Sequence, residues 1–276
     1  MSRLVGLNTS RLLCGALAHL VLLGFASAAA AQAPLFISPQ RVELFDNRWS
    51  EVLTVTNRTE RTASYALTLE DYSMTETGVT SRVDAMEHSA RRMIRFSPRQ
   101  FVLQPGETQT IRVLGRRASQ VEDGTYRTHL VFRAVDVTDG APSQGSGSSG
   151  GMSFGIGFRF NIAIPVVVAV GEFGSRMSVA EAEVIEDAVQ VKLTRDGNAD
   201  AAARVAVEWL RPNGRSEEVV ESSIVRIYRE RDWITKSFVP TWPNGRQPTE
   251  GQLKVKVMAE SRSETDVLNE LVVPLQ

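Results

Sequence analysis

Residues 92–113 read RMIRFSPRQFVLQPGETQTIRV, with apolar side chains at alternate positions on either side of a Pro-Gly pair. Phe101 and Leu103 lie two apart before the turn, and Ile111 and Val113 alternate with Thr110 and Arg112 after it. Period two marks a β-strand with one apolar face. Pro105-Gly106 has the chemistry of a tight turn, so the stretch predicts a hairpin whose apolar residues face one core.

The same texture extends outward in both directions. LFISPQRVELF (35–45), SEVLTVTN (50–57), ASYALTLEDYSM (63–74) and GTYRTHLVFRAV (124–135) are short alternating runs bounded by Gly, Pro, Asn or Asp. Residues 84–94, DAMEHSARRMI, read as a loop or a short turn of helix. After Val170 the pattern pauses at GEFGS and restarts as a second, smaller β-rich set ending in DVLNELVVPLQ. Turn signals at such spacing suit antiparallel sandwiches. The expected fold is all-β, with two β-sandwich domains joined near residues 166–173. One continuous sandwich is the alternative.

The first 33 residues stand apart. Arg3 and Arg11, the apolar run LLCGALAHLVLLGFA and the small residues SAAAAQA have the layout of a secretory signal peptide, cleaved after Ala31 or Ala33. The apolar run is shorter than the ~20 residues a bilayer requires. The domain expectation is thus 1–33 signal peptide, 34–168 first domain and 169–276 second domain. Roughly 240 residues would remain, enough for two ordinary cores. The single cysteine, Cys14, lies in the leader, so the exported chain is expected to lack disulfides. Without Arg3 and Arg11, 32 acidic residues face 29 basic ones, a formal charge of about −3. That balance argues against a nucleic-acid partner and offers no membrane-surface signal.

Catalytic chemistry is hard to find. His88 and His129 lie far apart without metal-ligand neighbours, whereas zinc needs about four convergent ligands. His129 sits at a strand position and reads as a structural, hydrogen-bonded histidine. Gly145-Ser-Gly-Ser-Ser-Gly150 fits G-x-G-x-x-G, but a dinucleotide site needs that match between a strand and a helix. Its Ser/Gly flank reads as a linker. Asn57-Arg-Thr59 matches a glycosylation pattern and reads as a turn. No enzyme, cofactor or metal is expected.

Three blocks together carry a resemblance: RMIRFSPRQFVLQPGETQTIRV (92–113), DGTYRTHLVFRAV (123–135) and FNIAIPVVV (160–168). Their order and spacing resemble the periplasmic pilus-assembly chaperones of the PapD-like family, in a divergent branch. The likeness covers residues 34–170 well. Over 171–276 it is weaker, resting on VKLTRDGN and VRIYRERDW. It implies two immunoglobulin-like domains in a boomerang, and a periplasmic chaperone that lends an edge strand to subunits lacking their last strand. Main-chain hydrogen bonds would supply affinity and alternate side chains would fill pockets. The outer-membrane usher would receive the subunits. Whether the free protein caps its edge as a homodimer is left open.

The run MSFGIGFRF (152–160) has the design for lending. Met152, Phe154, Ile156 and Phe158 would enter a subunit groove, while Ser153, Gly155 and Gly157 keep the reverse face slim. The alternative is that these side chains fill the protein's own core, which is the better reading from Phe160 to Ile164. The family also anchors the subunit's terminal carboxylate with two basic residues in the interdomain cleft. Arg41, the one basic residue of an otherwise largely apolar opening strand, matches the first, and a guanidinium fork suits a carboxylate. Arg159 is the candidate for the second, one residue away from the matching position. The interdomain charge network of the best-known members has no clear match. Alternative functions are a surface-fibre subunit or adhesin, and a periplasmic ligand-binding β-protein.

Overall fold

A computed structural model describes residues 34–45, 47–118, 120–135, 161–260 and 266–275. Among these residues seventeen strands build two sandwiches, each closed over its own hydrophobic cluster. The N-terminal sandwich holds β1 (Leu35–Ser38), β2 (Val42–Leu44), β3 (Ser50–Asn57), β4 (Ala63–Met74), β5 (Thr80–Val83), β6 (Ile94–Ser97), β7 (Gln100–Leu103), β8 (Thr108–Gly115), β9 (Gly124–Val135) and β10 (Asn161–Val170). One of its sheets has the order β1-β3-β8-β6. The other runs β2-β10-β9-β4, with β5 and β7 both pairing β4. The all-β expectation therefore stands.

The alternation seen in the sequence sets the core. Leu53 and Val55 of β3, Ile111 and Val113 of β8, and Leu130 and Phe132 of β9 are fully buried between the sheets. Their alternate neighbours Val52, Thr54, Thr110 and Arg112 are exposed, as a period of two demands. Residues 84–93 form turns rather than a helix.

The Pro105-Gly106 turn corrects one expectation. Glu107 N donates to Gln104 O at 3.0 Å, and Gly106 takes φ +74, which marks a tight turn with glycine at its third position. Yet β7 pairs β4 in one sheet, whereas β8 pairs β3 and β6 in the other. The turn is thus an arch across the core, not a hairpin. Leu103 and Ile111 still share that core, because an arch turns the inner faces of both strands inward.

The C-terminal sandwich contains β11 (Ser175–Ile185), β12 (Ala188–Gly197), β13 (Ala201–Leu210), β14 (Ser216–Ile227), β15 (Trp233–Phe238), β16 (Gln252–Met258) and β17 (Val267–Pro274). Its sheets run β11-β12-β15 and β14-β13-β16-β17. Leu193, Val205, Val207, Ile227 and Val255 make its fully buried core. One member comes from elsewhere: Met74, at the end of β4, is 5% exposed and packs in this second core.

Candidate functional site: an interdomain cleft and an open strand edge

The chain leaves β1 at Ser38-Pro39 and enters the opposite sheet as β2. There Val42 lies beside Val166 of β10 in parallel register. Val42 and Leu44 are fully buried, so Arg41 and Glu43 fall on the other side of the strand. Arg41 Nε donates to Glu43 Oε1 at 2.5 Å, and Nη2 donates to Asp200 Oδ2 at 3.3 Å across to the C-terminal sandwich. Among the described residues Nη1 is buried without a hydrogen-bond partner. Burial opposes the charge on Arg41, but the Glu43 and Asp200 carboxylates outweigh it and hold the guanidinium above its ordinary pKa.

Asp200, between β12 and β13, is fixed independently of Arg41. Its Oδ1 accepts from Thr125 Oγ1 at 3.2 Å and from Arg229 N at 3.0 Å, while its own N donates to Thr125 Oγ1 at 2.9 Å. Beside the pair opens a cleft of about 430 Å³, lined among others by Arg41, Val167, Ala169, Phe173, Asp200 and Arg226. Arg226, on β14, pairs with Glu260 and is the second arginine of this cleft. Sequence reasoning missed it, because nothing local to β14 shows which wall it lines.

β10 provides the other half of the site. Its full length pairs β9, from Asn161 opposite Arg133 to Val170 opposite Gly124. On its far side β2 reaches only Val166, Val167 and Val168. Among the described residues the outer edge from Asn161 to Pro165 is therefore unpaired, and its backbone donors and acceptors are open to an added strand. Ile164 is buried in the N-terminal core and Ile162 packs against it, which agrees with the core reading for this end of the strand. Met152, Phe154, Ile156, Phe158 and Arg159 lie outside the described residues.

A sealed contact lies elsewhere between the two sandwiches. Arg127 of β9 is 2% exposed. It pairs with Glu230, donates to Tyr72 O at 2.8 Å, and lies 3.6 Å over the Tyr228 ring. Glu230 Oε1 also accepts from Met74 N at 3.1 Å, and Arg231 Nε donates to Met74 O at 2.7 Å. Thr235 N donates to Glu76 O at 2.7 Å. Arg195 holds the 229–232 loop in place. Its guanidinium donates to Arg231 O at 2.8 Å, Arg229 O at 3.1 Å and Asp232 Oδ1 at 3.0 Å. The structure thus contains a charge network between the sandwiches, although that of the best-known family members has no clear match in the sequence. Its signal lay in TRDGN and YRERD, where every charged residue but Asp196 enters this network.

Gly124 explains the Asp-Gly that opens β9. Its φ is +131, and a side chain there would strike the Asn198 carbonyl and the Arg229 guanidinium. Two further expectations resolve as structural. Asn57 is fully buried; its Nδ2 donates to Arg61 O at 2.8 Å and Leu103 O at 3.1 Å, and its Oδ1 accepts from Thr59 N at 3.0 Å. It organises the turn after β3. His129 is buried against Tyr72, with ring centroids 4.7 Å apart, and its Nε2 lies 3.4 Å from Arg127 Nη1. Burial first, then Arg127 and Arg41, push its pKa down to about 3.

No family model matches the chain, and no curated protein matches it. Several solved structures do. The chain is similar to the CsuC–CsuE chaperone–tip adhesion subunit complex of Acinetobacter baumannii at 12% identity and TM-score 0.44, covering 88% of this chain and 98% of that one. It is similar to the CupB2 chaperone of Pseudomonas aeruginosa at 12% and 0.42, covering 87% and 100%. The Salmonella enterica SafA pilin complex with the SafB chaperone gives 12% and 0.43, covering 90% and 97%. A likeness of this degree carries no argument about function.

Proposed function

We propose that the protein is a non-enzymatic periplasmic chaperone of pilus or surface-fibre subunits, built as two domains, 34–168 and 169–276, behind a cleaved leader. It holds a subunit by adding a strand along β10 and by gripping the subunit's terminal carboxylate at Arg41. It then hands the subunit to an outer-membrane usher. The observation that carries this reading is the state of Arg41. A largely buried, charged guanidinium is fixed to Asp200, has no partner for Nη1 among the described residues, and stands in a cleft next to a strand whose edge is open among those residues.

An unmade hydrogen bond on a buried donor costs about 1–3 kcal/mol, which a client carboxylate would recover. Glu43 is half-exposed and holds only Nε, so it is the group a client carboxylate displaces. Asp200 is buried and accepts from Thr125 and Arg229, so it stays. Strand addition supplies register-independent main-chain bonds, and the carboxylate grip then fixes the register. Arg226, the other arginine that lines the cleft, is a candidate to assist Arg41. Arg159 remains a proposal for the same role, as do Met152, Phe154, Ile156 and Phe158 for filling the subunit groove.

The test is a pull-down from native periplasm with tagged protein beside Arg41→Ala and Phe154→Asp/Phe158→Asp versions, read by mass spectrometry. Small β-rich subunits that come down with wild type and are lost with both variants are the expected result. Retention of the same partners by both variants would remove Arg41 and the 152–158 run from the site. Capture of nothing would sink the chaperone reading.

A further inference from the structure

The outer face of the four-stranded sheet has a composition that strand lending does not use. Register places Phe36 beside Thr56, and Thr56 beside Thr108. Val52 stands beside Arg112, which stands beside Ser97; Leu114 lies between Ser50 and Arg95. Apart from the half-buried Thr56 these residues are exposed, and no carboxylate occurs at these positions. The face presents hydroxyls, two arginines and singly spaced apolar side chains.

The edge of the same sheet is more basic still. From Arg91 to Arg117 the sequence holds seven arginines and one carboxylate, Glu107. Glu107 is engaged in the turn, accepting from Gln104 N at 2.8 Å. Ile94 lies opposite Gly115, and Arg116 N donates to Met93 O at 2.8 Å, so Arg92, Arg95, Arg116 and Arg117 gather at one end of β6 and β8. Arg91 has Asp71 at 4.0 Å, whereas those four have no ion pair among the described residues. The first lysine in the chain is Lys192, so every basic residue of the N-terminal sandwich is an arginine. Charges on an edge strand ordinarily prevent edge-to-edge pairing, but that purpose needs one or two, not a face cleared of carboxylates.

We propose that this face docks flat on phosphate-bearing lipid headgroups of an anionic bilayer. Arginine forks match phosphate oxygens two at a time. A sheet four strands wide meets a flat surface, and single apolar residues such as Phe36 and Leu114 settle at headgroup depth. An acidic protein partner would meet the same arginines, but it would be expected to gather the apolar residues into one patch. The C-terminal sandwich carries more carboxylates than basic groups, so an anionic surface repels it and orients the molecule. The near-neutral total hides this asymmetry.

Purified protein is floated at low ionic strength with vesicles of phosphatidylcholine alone, or of phosphatidylcholine mixed with phosphatidylglycerol. Binding is expected to the mixed vesicles only, to fade at higher salt, and to resist inorganic phosphate as competitor. Arg95→Glu/Arg112→Glu/Arg116→Glu should lose at least about a hundredfold in affinity, roughly fivefold for each arginine removed, before the repulsion of the added carboxylates is counted. Arg176→Glu/Arg215→Glu/Arg246→Glu changes three exposed arginines of the C-terminal sandwich by the same charge and should keep binding. Circular dichroism confirms that both fold. Equal binding to both vesicles, or equal loss in both variants, would overturn the proposal. So would indifference to vesicles combined with capture of polyglutamate, which assigns the face to an acidic protein.

Discussion

Two arginines of the N-terminal sandwich reach the C-terminal one, and their surroundings treat them in opposite ways. Arg127 is 2% exposed and enclosed by Glu230, Tyr228 and the Tyr72 carbonyl. The Arg41 side chain is 18% exposed, shares one buried carboxylate with the partner sandwich, and keeps a donor unused beside an open cleft. Each leaves one buried guanidinium nitrogen without a hydrogen-bond partner among the described residues, Nε of Arg127 and Nη1 of Arg41, so what separates them is access: Arg127 is enclosed, whereas Arg41 lines a cleft that a ligand can enter. The comparison divides the interface into a seam and a site, and each half can be broken separately.

The largest effect should come from the seam. Glu230→Ala leaves the Arg127 guanidinium buried without its counter-charge and removes the acceptor for Met74 N. Loss of about 3–5 kcal/mol in urea unfolding is expected, with only part of it recovered by Glu230→Gln, which keeps an acceptor for Met74 N but not the counter-charge. Met74→Ala comes next. It empties a position of the C-terminal core that is filled from the N-terminal sandwich, at about 2–5 kcal/mol. Because the lost packing joins the two sandwiches, calorimetry should resolve two transitions where the wild type gives one. A single transition at the wild-type midpoint would show that Met74 is not a coupling residue.

The seam should also be sensitive to acid. His129 has a folded pKa of about 3 against an ordinary 6.5, so the unfolded chain takes up the proton first. Stability is then whole above pH 6.5 and falls as pH drops below it, by about 1.4 kcal/mol for each pH unit. His88, pushed down by burial and by Arg229, adds to the same trend. Glu70 is held below the usual carboxylate range: burial alone would raise it, but Arg133, Thr68 and Arg82 outweigh that. Its loss therefore begins only nearer its ordinary value of 4.5. Urea midpoints from pH 7 to pH 5 should decline in wild type and flatten in His129→Gln; parallel slopes would remove His129 from the account.

The seam and the site also differ in how far the sequence revealed them. Alternation in β3, β8 and β9 disclosed the core directly, since period two is a local property. The Pro105-Gly106 turn had the right residues and the wrong meaning, because the same turn chemistry serves a hairpin or an arch. On β9 the alternation marks Arg127 and His129 as one face, but cannot say that the C-terminal sandwich and the 84–93 turns cover it. Arg41 was legible as the one basic residue of an apolar opening segment. Asp200, which fixes it from 159 residues away, was not, and neither was Arg226 across the cleft. Contacts of that range are products of how two sandwiches meet.

The smallest stability effect is expected at the site, and it is the sharpest test of the division. The Glu43 partner of Arg41 is half in solvent and the contact to Asp200 is long at 3.3 Å, so Arg41→Ala should cost less in folding than Glu230→Ala. Asp200 keeps its bonds to Thr125 and Arg229 in that variant, so the interface does not come apart. Binding is another matter, because a client carboxylate in the cleft would lose its counter-charge. Removing one side of a desolvated charge pair costs about 2–5 kcal/mol of affinity, at least thirtyfold. Arg41→Lys should restore the charge but not the fork, recovering part of the binding. A peptide with the client's free C-terminus, compared with its amide, reads this directly by calorimetric titration. Wild type should prefer the free acid and Arg41→Ala should not distinguish them. If Arg41→Ala instead unfolds like Glu230→Ala, both arginines belong to the seam and the cleft has no carboxylate site.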